Sequence, residues 1–272
     1  MSSEKILKIE YSQGSGFFSY CSLILHTLVN YFNKEHELPT VLDTSQIFQW
    51  YKLPHQEKLD IMNEYFRKYD EGALSNFNIK WETYVNYHHI HQYENYKNLD
   101  FGNLNNFIVK FFSPSDIILR YINTIEEKYI KNKYYYENIC VLFYRGNDKS
   151  SETNVCGYDQ FIEKGREILF QNPNVTFLIQ SDETEFIETM QRKFPNSFYF
   201  KDEIRHMHKN NSTVDHVFSN LNNEFSKYYL AITMIMGKCK YIICTSGNCS
   251  IWIILFRMHT NNVMQFLHDK WI

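Results

Sequence analysis

The architecture of this chain is indicated most clearly by one segment, Asn138-Ile-Cys-Val-Leu-Phe-Tyr-Arg-Gly-Asn-Asp-Lys149. Its first seven residues are almost entirely apolar and include β-branched and aromatic side chains, which is typical of a strand buried on both faces. Arg145 follows directly, so this strand ends in charged residues. Buried strands of this kind belong to parallel sheets, where ligands bind at the carboxyl ends of the strands.

Helices and strands alternate along the chain after this segment. The spacing of apolar residues predicts helices at 158–170, 184–194, 225–236 and 251–258, and strands at 175–179, 197–200, 241–244 and 263–266. This alternation predicts a doubly wound parallel sheet with helices on its faces.

The N-terminal residues predict one βαβ unit. A strand at Ile6–Tyr11 leads through Gly14-Ser-Gly-Phe17 into a helix at Phe18–Phe32, and a second strand follows at Leu38–Asp43. Glycine permits a tight turn and lets a ligand approach the backbone N–H groups of a helix start. A plain tight turn is the alternative for this glycine pair. We expect a boundary between two βα-rich halves near residues 105–137.

The residues between these units carry weaker signals. Residues 46–105 are polar and aromatic and could shape an acceptor pocket. They contain three histidines whose spacing could bind a metal, but adjacent histidines are common in exposed loops and we predict no metal site: His88, His89 and His91. Phe107–Phe112 is a short apolar run. Ser113-Pro-Ser-Asp116 then predicts the start of a helix at Ile117–Ile130.

Composition excludes several classes of protein. The chain has 272 residues and a net charge of −3, so clustered basic residues for nucleic-acid binding are not indicated. Its six cysteines form no Cys-x-x-Cys pair, which favours reduced thiols and a cytoplasmic protein. The N-terminus lacks the pattern of a signal peptide, and no run of 18 or more apolar residues predicts a transmembrane anchor. The sequence does not indicate the oligomeric state.

Polar side chains follow three of the predicted strands. The first end carries Arg145, Asp148 and Lys149, the second Ser181 and Asp182, and the third Thr245, Ser246 and Asn248. Because the carboxyl ends of parallel strands meet at one edge of the sheet, we expect these groups to face one crevice. Loops between strands and helices are polar in general, which is the alternative explanation.

The residue types at these ends favour a phosphate site. The planar guanidinium of Arg145 suits a diphosphate, and the loop Thr245-Ser-Gly-Asn248 opens a helix whose N–H groups can hold an anion. An ordinary ion pair with Asp148 is the alternative role for Arg145. No isolated Asp-x-Asp lies near a strand end, so a metal-dependent route is not indicated.

Four segments in order resemble one enzyme family. Tyr144-Arg-Gly-Asn-Asp-Lys149 resembles the His-x-Arg-Arg-x-Asp-Lys motif of the α-1,6-fucosyltransferases and nodulation fucosyltransferases, which are related to the protein O-fucosyltransferases. Phe177–Glu183 resembles that family's strand ending in Thr-Asp-Asp, and Tyr241–Asn248 its Val-Cys-Thr-Phe-Ser-Ser segment. Gln13–Phe17 resembles its glycine-rich first turn. The similarity is clearest over residues 138–265.

The resemblance implies a fold, a reaction and a set of site residues. It implies a GT-B-like α/β fold of two Rossmann-like parallel-sheet domains, with residues 1–110 on the acceptor side and 111–272 binding the donor. It implies an inverting, metal-independent fucosyltransferase that uses GDP-fucose and a glycan acceptor. The catalytic residues would be Arg145, Lys149 and Glu152. The donor-binding residues would be Gly14, Gly16, Phe17, Tyr144, Arg145, Asp148, Ser181, Asp182, Thr245, Ser246, Gly247 and Asn248.

The sequence departs from the family at several positions. The motif histidine falls on Phe143, the second arginine on Gly146, and an acid that reads guanine on Ile232. The family's base falls on Thr153, and Glu152 is preferred because a carboxylate can accept the hydroxyl proton; an exposed loop glutamate is the alternative. Three other functions therefore stay open: transfer from another nucleotide sugar, a sugar-nucleotide or glycan binder without catalysis, and an unrelated Rossmann-type nucleotide-binding enzyme.

Overall fold

The N-terminal part of the protein contains the predicted βαβ unit. A computed structural model describes residues 4–11, 13–68, 79, 84–131 and 135–272. Strand β1 (Ile6–Lys8) pairs in parallel with β2 (Val41–Asp43), and helix α1 (Phe17–Glu35) connects them. Both strands are shorter than predicted. Pro39 lies where the predicted second strand would begin, and proline has no N–H to donate to a ladder.

The C-terminal part is built on a six-stranded sheet in the order β5-β4-β3-β6-β7-β8. Its strands are β3 (Ile139–Tyr144), β4 (Thr176–Ser181), β5 (Ser197–Phe198), β6 (Tyr241–Thr245), β7 (Val263–Leu267) and β8 (Lys270–Trp271). All neighbours pair in parallel except β7 and β8. Strand β3 lies between β4 and β6, which confirms the parallel sheet predicted around it.

The described helices surround these sheets. They are α2 (Met62–Tyr65), α3 (Phe101–Phe111), α4 (Asp116–Ile125), α5 (Tyr158–Gln171), α6 (Thr184–Lys193), α7 (Val214–Val217), α8 (Asn222–Lys238) and α9 (Asn248–Arg257). The helices predicted between the C-terminal strands are confirmed within a few residues at each end. None of the helices in the described ranges is long and apolar enough to cross a membrane.

One expectation for residues 107–130 needs correction, and one run gains a structure. The apolar run Phe107–Phe112 overlaps the end of helix α3, whose buried residues Leu104, Phe107, Ile108 and Phe111 have helical spacing. The side chain of Asp100 caps this helix by accepting a hydrogen bond from the backbone of Asn103. The helix predicted to continue to Ile130 ends as an α-helix at Ile125, and a π-helical turn covers Glu126–Ile130.

The apolar core is continuous between the two parts. Buried side chains from Ile9 to Phe266 form one cluster, and α1 packs directly against α9. At this contact the ring of Phe18 lies 6.1 Å from that of Trp252. The predicted division after residue 110 falls within the last turn of α3 and stays a prediction.

Candidate active site

The polar ends of β3, β4 and β6 lie together at one edge of the large sheet. Their order, β4-β3-β6, brings the three carboxyl ends side by side. Arg145 at the end of β3 joins them, since its Nε donates to Asp182 Oδ2 (2.8 Å) and its Nη1 to Cys249 Sγ (3.2 Å). Asp182 follows β4, and Cys249 lies in the first turn of α9 after β6. Arg145 therefore contacts the ends of two neighbouring elements, and the shared crevice stays a prediction.

Two carboxylates fix the orientation of Arg145. Nη2 donates to Asp148 Oδ1 at 2.9 Å, while the nearly buried Asp182 also accepts from the backbone N–H of Gly146 at 3.2 Å. The ion pair with Asp148 that the sequence allowed is thus present. It accounts for only one of the hydrogen bonds that Arg145 makes.

The electrostatics keep Arg145 and Asp148 ionised. Burial alone would lower the pKa of Arg145, but neighbouring groups, led by Asp182, outweigh it and raise that pKa well above its usual value. Burial would raise the pKa of Asp148, but the positive charges of Arg145 and Lys149 lower it by more. Arginine has five N–H donors, and three of them are used by Asp182, Asp148 and Cys249. The remaining donors, beside the hydroxyl of Tyr229, are those with which Arg145 could hold an anion.

A second cluster adjoins Arg145 and contains the other two predicted catalytic residues. Lys149 Nζ lies 2.7 Å from both carboxylate oxygens of Glu152 and 3.7 Å from Asp148 Oδ2. The hydroxyl of Tyr93 donates to Glu152 as well. Burial and this hydrogen bond raise the pKa of Tyr93, so the phenol remains a donor at neutral pH. The structure therefore brings Lys149 and Glu152 together as predicted, with 41% of the Glu152 side chain exposed.

Tyr93 is a site residue that the sequence did not identify. It lies in a 3-10 helix at His89–Tyr93, within the polar and aromatic residues whose structure could not be predicted. The contact with Glu152 joins residues that are 59 positions apart in the chain. No local pattern signals such a pairing, because it depends on how the two halves pack.

The loop Thr245–Asn248 connects the two halves through hydrogen bonds. The backbone N–H of Gly247 donates to Tyr96 Oη (3.1 Å), and that of Asn248 donates to Gln92 Oε1 (3.0 Å). Gly247 has a φ of 153°, which glycine adopts far more readily than other residues. These two N–H groups, predicted to bind the donor, already have protein partners, and an anion would have to displace them.

Ser246 and Ser181 are also engaged within the protein. Ser246 Oγ donates to the carbonyl of Phe266 (2.7 Å), and Ser181 Oγ accepts from the backbone N–H of Glu183 (3.0 Å). Thr245 differs from them, because its Oγ1 is buried and has no hydrogen-bond partner within the described residues. Of the side-chain hydroxyls predicted at these strand ends, that of Thr245 is the best placed to accept a new partner.

The structure places Phe17 and Tyr144 in the core, away from any exposed surface. The ring of Phe17 packs 4.8 Å from that of Tyr65 in an aromatic cluster, and Tyr144 stacks on Phe186 at 4.5 Å. Each is only 3% exposed. Any contact of these two residues with a donor would have to use their backbone.

The glycines of the N-terminal turn have two different surroundings. A Cβ atom on Gly14 would overlap the indole of Trp50, so a larger residue there would require the indole to shift. Gly16 is the N-cap residue of α1, and a Cβ atom there would make an ordinary contact with Ser19 Oγ at 3.8 Å. The contacts predicted between these glycines and a donor remain predictions.

A pocket opens beside Arg145. Its enclosed volume is about 40 Å³. Its walls come from the end of β4, from α8 and from the residues between β5 and α8, including Gln180, Arg205, Asp215, Phe225 and Tyr229. Across the described ranges no group of three or more histidine, cysteine or acidic side chains is placed to hold a metal ion.

Comparison with solved structures identifies the fold. The fucosyltransferase NodZ from Bradyrhizobium matches with a TM-score of 0.57 at 10% identity, over 97% of this chain and 96% of that chain. NodZ α-1,6-fucosyltransferase soaked with GDP-fucose matches with a TM-score of 0.55 at 9% identity, over 99% of both chains. The chain has a GT-B fold. No family model matches it, and no curated protein matches it in sequence.

This likeness confirms the predicted GT-B fold and a remote relationship at the level of fold. A third match, NodZ co-crystallised with GDP, has a TM-score of 0.54 at 10% identity and covers 97% of this chain. At such low identity the comparison does not transfer individual residues.

Proposed function

We propose that this protein is an inverting, metal-independent glycosyltransferase that moves fucose from GDP-fucose to a hydroxyl group of a glycan acceptor. The observation that carries the proposal is the position of Arg145. It lies at the carboxyl end of the central strand of a GT-B fold, where ligands bind in open α/β sheets. Two of the matched NodZ structures were soaked with GDP-fucose or co-crystallised with GDP, which supports the choice of donor.

Arg145 is suited to stabilise the leaving group. Its guanidinium is held in place by Asp148 and Asp182 before any ligand arrives, so little reorganisation is needed when charge develops. Donors that Asp148, Asp182 and Cys249 do not use are then available for a phosphate oxygen. A positive charge at this position offsets the negative charge that accumulates on the departing diphosphate.

The proposed transfer step uses the cluster around Arg145 and the adjoining cluster of Lys149, Glu152 and Tyr93. The acceptor hydroxyl gives its proton to the Glu152 carboxylate while its oxygen attacks the anomeric carbon of the sugar. The bond between that carbon and the β-phosphate oxygen breaks, and the electron pair leaves with GDP. Attack from the face opposite to the leaving group inverts the anomeric centre. Lys149 and Tyr93 hold the carboxylate in position for this proton transfer.

A ligand screen tests the proposal. Thermal unfolding of the wild-type protein is measured with GDP, UDP, ADP and their sugar conjugates, because a ligand that binds the folded state raises the unfolding temperature. We expect stabilisation by GDP and GDP-fucose, and loss of that stabilisation in Arg145→Lys, which keeps the charge but removes the fork.

Each result of the screen has a distinct meaning. Stabilisation by UDP or ADP alone would show that the donor is another nucleotide sugar. Binding of GDP-fucose without any turnover would identify a binder without catalysis. No stabilisation by any nucleotide would overturn the proposed function.

A further inference from the structure

Two buried polar atoms in the pocket beside Arg145 lack a hydrogen bond within the described residues, Tyr229 Oη and Gln180 Oε1. Gln180, near the end of β4, is only 5% exposed, and its Oε1 atom is buried without a hydrogen-bond partner in the described part of the chain. Gln180 lines the pocket together with Arg145. A buried amide oxygen without a partner loses its hydration and gains nothing in return, so it destabilises the protein until a donor reaches it.

The position of Gln180 relative to Arg145 is set by the sheet. Gln180 pairs in register with Phe143 on β3, and Arg145 lies two residues beyond Phe143. Side chains two residues apart along a strand point to the same face, which places Gln180 and Arg145 on one side of the sheet edge. Asp182, two residues beyond Gln180, already contacts Arg145.

The opposite wall offers flat aromatic surface. Phe225 and Tyr229 are four residues apart on α8, so they lie one above the other on the same face, and both line the pocket. The guanidinium of Arg205 lies 5.4 Å from the Phe225 ring and is held by Asp215 and Asn222 at 2.5 Å. Aromatic and guanidinium planes of this kind stack on nucleobases.

We propose that Gln180 is the residue that reads the base of the donor nucleotide, by accepting a hydrogen bond from an N–H group of a guanine. This inference rests on the proposed function and adds the specificity-determining residue. Guanine presents an imino and an amino N–H side by side, so one of them can reach Oε1 while the diphosphate extends towards Arg145. Ile232, where the sequence resemblance would place a base-reading acid, is fully buried and apolar, and it does not line the pocket.

Replacing Gln180 should leave the free protein at least as stable as the wild type and should weaken its binding of GDP. Gln180→Leu removes the unmet polar atom at similar volume, so the unliganded variant should unfold at the same or a higher temperature than the wild type. In isothermal titration its affinity for GDP should fall at least tenfold, and the ratio of GDP affinity to UDP affinity should fall towards one. Gln171→Leu, at an exposed glutamine at the end of α5, is the matched control and should bind GDP like the wild type.

The outcomes separate this inference from the proposed function. Unchanged GDP affinity and selectivity in Gln180→Leu would overturn the inference and leave the proposed function intact. Failure of the wild type to bind any nucleotide would overturn the proposed function and the inference with it. Gln180→Met, which also lacks the amide, repeats the measurement if the leucine variant does not fold, with the same expected loss of GDP affinity.

Discussion

The orientation of the Arg145 guanidinium is fixed by side chains from neighbouring elements and not by strand β3 alone. Three side chains hold it: Asp182 after β4, Asp148 in the following turn and Cys249 at the start of α9. Each belongs to a different segment of the chain. A guanidinium fixed in this way is prepared for an anionic ligand, because the entropy of ordering the side chain has already been lost on folding.

Gly146, next to Arg145, is required by the buried acid Glu183. A Cβ atom at this position would overlap Glu183 Oε1 and would lie 2.5 Å from the ring of Tyr144. Neither group can move easily, since Glu183 is fully buried and bonded to Tyr158, and Tyr144 is stacked on Phe186. Burial also raises the pKa of Glu183. This packing explains why the second arginine of the resembled motif is absent here.

Gly146→Ala is therefore expected to destabilise the protein by about 1–3 kcal/mol, the usual cost of overpacking a filled site. The measurement is the free energy of unfolding in urea. Gly102→Ala is the control, because a Cβ there would meet its nearest neighbour at 3.7 Å in the exposed first turn of α3. That variant should be neutral or slightly more stable. Equal stability of Gly146→Ala and the wild type would contradict the described packing.

The sequence made some of these residues predictable. Arg145, Asp148 and Lys149 stand out because charges follow an apolar strand directly, and such a strand end is a ligand-binding position in a parallel sheet. Tyr93 and Gln180 could not be found in this way. The first depends on a contact across 59 residues, and the second is marked only by a missing hydrogen-bond partner that no sequence pattern encodes.

At the scale of elements, Ser22 joins α1 to α9. Its hydroxyl, fully buried, donates to Asn248 Oδ1 (2.9 Å) and accepts from Trp252 Nε1 (3.0 Å) and Tyr87 Oη (3.1 Å). A single small hydroxyl thus satisfies three polar groups from two other segments. This contact sets the position of α9, whose first turn contains Cys249 beside Arg145.

Ser22→Ala is expected to cost about 2–4 kcal/mol of folding free energy, because three buried groups lose one partner at once. Ser19→Ala, in the same helix, is the matched control. Ser19 is half-buried and only accepts from Asn248 Nδ2 (3.0 Å), so its loss should be clearly smaller. Chemical denaturation of both variants measures the difference, and equal losses would show that Ser22 does not join these elements.

Elements with strong periodicity were predicted well, and those defined by tertiary contacts were not. Helices α5, α6, α8 and α9 follow from their apolar spacing. Helix α3 was missed because its first half is rich in asparagine, and its start depends on the Asp100 cap. The two-residue strand β5 was predicted longer, since its extent is set by its pairing with β4.

At the scale of the whole molecule, the candidate active site contains residues from both halves. Tyr93, from the first half, holds Glu152 of the second, and Tyr51 donates to Asp215 at 2.9 Å beside the pocket. The continuous apolar core fixes these contacts. The chain shares the GT-B fold with NodZ at about 10% identity. Such a fold can persist at low identity because it depends on the pattern of buried residues more than on which apolar residues are used.

The most direct test of the central claim is the release of GDP from GDP-fucose, measured at equal protein concentration for the wild type and Arg145→Lys. We predict measurable release by the wild type and a loss of about a hundredfold or more in the variant, since removing one donor to a developing negative charge typically costs this much. Circular dichroism checks that the variant remains folded. Equal rates for the two proteins, or no release of GDP by the folded wild type, would contradict the account.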